Sequence, residues 1–339
     1  VSGLPGLDLD AVSGWLDSSA PGLRRGPLAG SVITGGLSNL TYRVTDGTST
    51  WALRRPPLGH VLSTAHDMTR EFRVISALSG TAVPVATPVV LCEDVDVNGA
   101  PFYLMSYVDG VVLDRPDVLA ALTTDDAGRS CELLVDTLLA LHEVDPADVG
   151  LEQFGRPHGF LERQVKRWRT QWEASETEPR DGLDDLVARL TDLTPEQQAP
   201  GIVHGDYRLT NVIYSHGVDR IAAVVDWEMA TLGDPLTDVG LLVVYQTLGE
   251  QGMFGAAPMS EAAGFLRPDA MVQRYAAGSS RDLAALPWYV AFGWFKLAVI
   301  AEGIHARYLQ GKTVGEGFSV IGASVPRLLD ASRHWLDQL

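Results

Sequence analysis

Cysteine is nearly missing from this chain: Cys92 and Cys131 are the two present. They form no CxxC pair, and neither stands near a histidine at ligand spacing, which argues against a zinc site. The two could pair, but in 339 residues buried free thiols are the expected state. Basic residues are also scarce, 26 against 43 acidic ones, for a formal net charge of −17. A general nucleic-acid binder carries a basic face, so no nucleic-acid partner is expected, and the acidity reads as a solvated surface. Long apolar runs are missing as well. The strongest, Pro287 to Ile304, is interrupted by Lys296 and carries Glu302 near its end. Its unbroken part is too short to span a bilayer, so it reads as a buried helix. The opening VSGLPGLDLD has no basic region followed by an apolar run, hence no visible signal peptide. These absences point to a cytoplasmic protein without a membrane partner.

What is present reads in two parts, with no internal repeat. The first hundred residues are mainly strand-like. LTYRV and TWALRR are strands joined by a turn at Asp46-Gly47. AHDMTREFRVISALSG has helical spacing, with Phe72, Ile75 and Leu78 on one side and Gly80 as a stop. PVVLCED and PFYLMSYV predict a second hairpin turning at Asn98-Gly99. Past Gly110 the pattern turns helical, beginning with DAGRSCELLVDTLLALHEV. Within that part, GIVHGD, NVIY and IAAVVDW predict short strands forming one small hairpin. The expected fold is therefore α+β: a small β-rich lobe over residues 1–108, a hinge at its end, and a larger, mainly helical lobe over 109–339. A cleft between such lobes is a usual place for a ligand.

The chemistry sits in IVHGDYRLTNVIY and the AVVDWE that follows. Asp206 and Asn211 stand five apart, and on a tight loop both side chains can turn to one point. A carboxylate that takes a proton and an amide oxygen that binds a metal are two parts that phosphoryl transfer needs. Asp226, ending an apolar strand, adds a hard oxygen ligand suited to Mg²⁺.

HGD, Asn211 and Asp226 together resemble the catalytic loop and metal-binding Asp of the aminoglycoside phosphotransferase family, small-molecule relatives of the protein kinases. Gly205 stands where protein kinases carry Arg, and Trp227-Glu228 where they carry Phe-Gly. The other parts follow in family order. ITGGLSNLTYRV resembles the glycine-rich loop, with Gly35 and Gly36 at the turn and Ser38 and Asn39 donating to phosphate oxygens. In WALRR, Ala52 would face the adenine, and Arg54 takes the place of the phosphate-binding Lys, paired with Glu71 of the next helix. YLMSYVDG resembles the hinge, with Met105 guarding the pocket and the backbone of Ser106 and Val108 meeting the adenine edge. The resemblance implies a two-lobed protein-kinase-like fold. It also implies ATP and Mg²⁺ as cofactors, Asp206 as the catalytic base and Asn211 with Asp226 as metal ligands. His204 braces the loop, and Asp238 supports its backbone from a helix start. A Met gatekeeper with a short hinge fits ATP.

LRRPP, GRPHGFLERQVKRWRTQW and VVDWEMATLGDPLTDVG narrow the resemblance to the kinase-like domain fused to some acyl-CoA dehydrogenases and its free-standing bacterial cousins. That branch tends to carry Arg in the Lys position and implies a hydroxyacyl-CoA acceptor. Arg54 leaves two readings: an active pocket built for Arg, or a nucleotide-binding pseudokinase. The retained Asp206, Asn211 and Asp226 favour activity. A third reading is antibiotic phosphotransfer. The segment from Arg156 to Trp172 bears on it, because Arg163, Lys166 and Arg167 lie there among Phe160, Trp168 and Trp172. They form either a solvated helix face or a basic wall for a small hydroxyl acceptor. Such a wall suits a phosphate-bearing CoA ester and opposes a polycationic antibiotic.

Overall fold

The computed structural model describes residues 4–33, 39–58, 67–251, 259, 263–311 and 318–339. Gly35, Gly36 and Ser38 of the expected glycine loop lie outside them. The chain starts with a helix that the strand-like reading of the first hundred residues did not anticipate. Helix α1 (Leu9–Ser19) is capped by the Asp8 carboxylate and buries Val12 and Leu16. These side chains close one face of a sheet built from β1 (Ala29–Val32), β2 (Leu40–Thr45), β3 (Thr50–Arg55), β4 (Pro88–Cys92) and β5 (Phe102–Ser106). All its pairings are antiparallel, in the order β1-β2-β3-β5-β4.

Strand alternation sorts β3 as its sequence requires. Leu53 faces the small-lobe core with Tyr42 and Phe102, whereas Ala52 pairs with Met105 and Arg54 with Tyr103 on the neighbouring strand. Helix α2 (Met68–Leu78) begins at the Asp67 cap and lies on the opposite face, burying Val74, Ile75 and Leu78 together with Glu71. The second hairpin forms, but not by a tight turn at Asn98-Gly99. A single helical turn, α3 (Val95–Asn98), links β4 to β5, and Gly99 ends it in the left-handed region at φ 73°.

Beyond the hinge come α4 (Pro116–Ala120), α5 (Thr124–His142), α6 (Phe160–Glu173) and α7 (Leu183–Asp192), then β6 (Gly201–Val203), β7 (Val212–Tyr214), β8 (Ile221–Val224) and β9 (Thr231–Gly233). The chain ends in α8 (Leu236–Glu250), α9 (Pro268–Gly278), α10 (Leu286–Leu309) and α11 (Val325–Leu336). The one expected small hairpin is two. β7 pairs with β8, while β6 pairs with β9, thirty residues on and invisible to local pattern. α10 is the apolar run singled out above, buried over most of its length, with Lys296 and Glu302 inside the protein. Among the described residues no helix is long and apolar enough to cross a membrane. Cys92 and Cys131 are buried free thiols, as expected.

Candidate active site

Asp206 follows β6 on a loop whose peptides are pinned one by one. Asp238, in the first turn of α8, accepts the His204 N–H at 2.7 Å and the Gly205 N–H at 2.8 Å. Asp238 is itself held by His142 of α5, whose Nε2 lies 3.5 Å away and whose Nδ1 meets the Tyr275 hydroxyl at 2.8 Å. Burial pushes the His142 pKa down, so the imidazole is neutral there. His204 donates from Nε2 to the Val225 carbonyl at 3.0 Å, and its Nδ1 accepts the Asp206 N–H at 3.2 Å. That pattern requires the neutral Nε2–H tautomer and ties the Asp206 loop to the Asp226 segment. The ring also packs 4.6 Å from that of Trp227.

Gly205 has a physical reason to lack a side chain. Its φ is +85°, and a Cβ would come within 2.8 Å of the Met229 carbonyl oxygen. Gly205→Ala is expected to cost about 1–3 kcal/mol through backbone strain alone. Thermal unfolding beside the wild type measures this, and an unchanged melting temperature would contradict the strain argument.

Both oxygens of Asp206 are engaged. Oδ1 accepts the Tyr245 hydroxyl from α8 at 2.6 Å, and Oδ2 accepts Asn211 Nδ2 at 2.9 Å. Arg208 Nε stands 3.4 Å from Oδ2, and its guanidinium lies 4.7 Å over the Tyr245 ring. Burial pushes the Asp206 pKa up, but Arg208, Lys296 and the Tyr245 hydrogen bond outweigh it and hold the carboxyl below its ordinary value. Asp206 is therefore ionised at neutral pH and keeps 19% of its side chain exposed.

Asp226 lies two residues past β8 in the left-handed region, at φ 67°. That conformation is costly for a non-glycine residue and turns the side chain toward the small lobe. There Arg54 joins two carboxylates: Nε bonds Glu71 Oε2 at 2.7 Å, and the other end of the fork bonds Asp226. The Tyr103 hydroxyl also donates to Glu71 Oε2, at 2.9 Å. Burial works against the guanidinium charge, but Glu71 and then Asp226 outweigh it and raise its pKa. Arg, with its planar fork, can hold two partners that a Lys point charge could not grip in this way.

Asn39 does not stand open to phosphate as its loop position implies. It is 2% exposed, and its Nδ2 is shared between Glu71 Oε1 at 2.7 Å and Glu228 Oε2 at 3.1 Å. The second bond joins the small lobe to the segment after Asp226. At the hinge, the Ser106 N–H is committed to the Thr87 carbonyl at 2.8 Å, so a ligand could use only its carbonyl. Met105 and Val108 are half-buried.

Asn211 and Asp226 fit a hard cation. Asn211 turns its amide nitrogen to Asp206, which directs its oxygen elsewhere, and its backbone carbonyl accepts Val225 N–H at 2.9 Å, beside Asp226. Asp226 keeps 26% of its side chain exposed. Among the described residues no cluster of three or more His, Cys, Asp or Glu is suited to a metal. Two protein oxygens leave room for phosphate and water ligands, the shell Mg²⁺ prefers.

On α6, Trp168 and Trp172 are buried, and Lys166 and Arg167 are exposed. Arg163 folds back onto the His158 and Arg156 carbonyls and is already committed. Of the site residues brought together here, the sequence reading missed Tyr245, Arg208 and Lys296. Arg208 lay inside the loop motif, and Tyr245 follows Asp238 by two helical turns on one face. Lys296 was signalled by its isolation in an apolar helix.

A model described as "Phosphotransferase enzyme family" matches residues 30–287. Acyl-CoA dehydrogenase family member 11 of Gallus gallus is 30% identical over 327 residues, covering 91% of this chain and 41% of that protein. Family member 10 of Mus musculus is 32% identical over 314 residues, covering 89% of this chain and 29% of that one. The chain thus spans less than half the length of these curated relatives. Among solved structures, a Ralstonia eutropha protein assigned provisionally as an aminoglycoside phosphotransferase aligns with a TM-score of 0.84 at 30% identity, over 98% of each chain. Aminoglycoside phosphotransferase APH(4)-Ia, in a ternary complex with AMP-PNP and hygromycin B, aligns at 0.60 with 14% identity, over 96% of this chain and 98% of that one. At that identity it shows the kinase-like fold alone.

Proposed function

Because the chain belongs to the phosphotransferase enzyme family, we propose that it transfers the γ-phosphoryl group of ATP to a hydroxyl of a small molecule, with a hydroxyacyl-CoA thioester as the acceptor class. Membership makes it a small-molecule phosphotransferase; donor, metal and acceptor are the proposed parts. One observation carries the reading. Arg54 bridges Glu71 and Asp226, and Asp206 bonds Asn211, whose backbone carbonyl accepts the N–H of Val225 beside Asp226, so one hydrogen-bonded network joins these groups.

In this reading, the adenine lies against Ala52, Met105 and Val108, and Arg54 contacts the α- and β-phosphates. Asn211 and Asp226 hold Mg²⁺, which when bound offsets phosphate charge. Asp206 aligns the acceptor hydroxyl and takes its proton, so the hydroxyl must share or displace the Tyr245 hydrogen bond. Positioning and electrostatics supply most of the rate. The small lobe over residues 1–108 carries the nucleotide, and 109–339 carry the catalytic loop and the acceptor.

The acceptor class rests on charge and on the relatives. Arg167 acts electrostatically on Lys296, which touches the catalytic loop, so the basic part of α6 borders the acceptor side. An anionic acceptor is attracted there, whereas a polycationic aminoglycoside is repelled. The relatives named above are acyl-CoA dehydrogenase family members. A screen with labelled ATP, offering hydroxyacyl-CoA thioesters beside aminoglycosides, tests the proposal. Label transfer to an aminoglycoside and to no thioester would overturn the acceptor class. For an accepted thioester, reversing charge at Lys166 and Arg167 to Glu is expected to raise the acceptor KM about tenfold or more with little change in kcat. An unchanged KM would remove these two side chains from the acceptor site.

A further inference from the structure

We propose that Lys296 is a positioning residue for phosphoryl transfer: its ammonium holds the Gly205 carbonyl and so fixes the peptide from which Asp206 projects. The inference rests on reading Asp206 as the group that receives the acceptor hydroxyl.

Lys296 comes from the middle of α10, between Phe295 and Leu297, and is 5% exposed. A lone charge in such a helix is costly unless it finds partners. Its Nζ donates to the Gly205 carbonyl and sits 5.4 Å over the Trp168 ring of α6. The same residue, Gly205, gives its N–H to Asp238 Oδ1 at 2.8 Å. A carboxylate from α8 and an ammonium from α10 thus hold Gly205 on its N–H and C=O sides, immediately before Asp206.

The charge can be lost within a measurable range. Burial lowers the Lys296 pKa to about 8. Asp206 of the loop and Asp238 of α8 oppose that shift, while Arg167 of α6 and Arg208 of the same loop add to it. The ammonium is therefore present below about pH 8 and lost above it. As pH rises through that value, the carbonyl keeps at most a neutral donor and Asp206 loses a nearby positive charge. An alkaline limb in the kcat profile is therefore expected to come from Lys296.

Two variants and one direct titration test this. In Lys296→Met, kcat is expected to fall about 10–10²-fold, the worth of one hydrogen bond to a charged group, and the alkaline limb to vanish. In Lys296→Arg, which stays charged, activity is expected to be retained in large part, with the limb moved to higher pH. The chain has three lysines, Lys166, Lys296 and Lys312, so ¹³C-lysine labelling gives three side-chain signals. One is expected to titrate near pH 8, to be missing from Lys296→Arg, and to shift to lower pH in Asp206→Asn, where an attractive charge is gone. A Lys296 signal titrating with ordinary lysines, or one indifferent to Asp206→Asn, would overturn the proposal. So would the same alkaline limb in wild type and Lys296→Met. The titration needs neither turnover nor a foldable Lys296→Met protein. If no acceptor is phosphorylated at all, the functional reading fails while the coupling of Lys296 to Asp206 is still decided.

Discussion

Asp206→Ala is expected to lower phosphoryl transfer about 10²–10⁴-fold, the contribution of a positioned proton acceptor. The loss should fall on kcat and leave the affinity for ATP nearly intact, because the partners of Asp206 are Tyr245, Asn211 and Arg208 and not the Arg54 fork. The substitution also leaves Lys296 and Arg208 without the carboxylate that attracts them. Circular dichroism and nucleotide binding are therefore read on the same sample, so that a folding defect is not taken for a chemical one. Wild-type turnover by a folded Asp206→Ala protein would remove this carboxylate from the mechanism.

The second large effect is at Arg54. Arg54→Ala strips the cation from between Glu71, which is 2% exposed, and Asp226. Breaking one side of a buried pair leaves an uncompensated charge and costs about 3–5 kcal/mol. Burial favours the neutral form of Glu71, and Arg54 is the cation that opposes it. The sign of the pH effect follows. Lowering the pH protonates the stranded carboxylate, so the stability gap to the wild type should narrow between neutral and mildly acid pH. Urea unfolding at the two pH values measures it. Adding Glu71→Gln should restore part of the lost stability, as coupled partners do. Arg54→Lys keeps a charge but lacks the fork that reaches Glu71 and Asp226 together, so calorimetry should find weakened ATP binding. A gap that stays constant with pH, and no recovery in the double variant, would mean that Arg54 is not the partner of Glu71.

Both predictions rest on features the sequence carried openly. The spacing from Asp206 to Asn211, the pairing of LTYRV with TWALRR, the capped α2 with Glu71 on its buried face and the αL-prone Gly205 are local. They depend on strand alternation, helical period and turn chemistry acting within a few residues. α1 was legible in the same way, through Asp8, Val12 and Leu16, although the glycines and prolines around it draw the eye to turns.

Other features had no local sign. Tyr245 reaches Asp206 from 39 residues away, and Lys296 reaches Gly205 from 91. Asn39 finds Glu228 across 189 residues. β6 pairs with β9 across about thirty residues. The chain order of motifs was enough to determine the fold and the phosphotransferase family. Only the folded molecule decided which charges face one another, because a buried polar group takes the partner that packing brings within about 3 Å, however far off it lies in sequence.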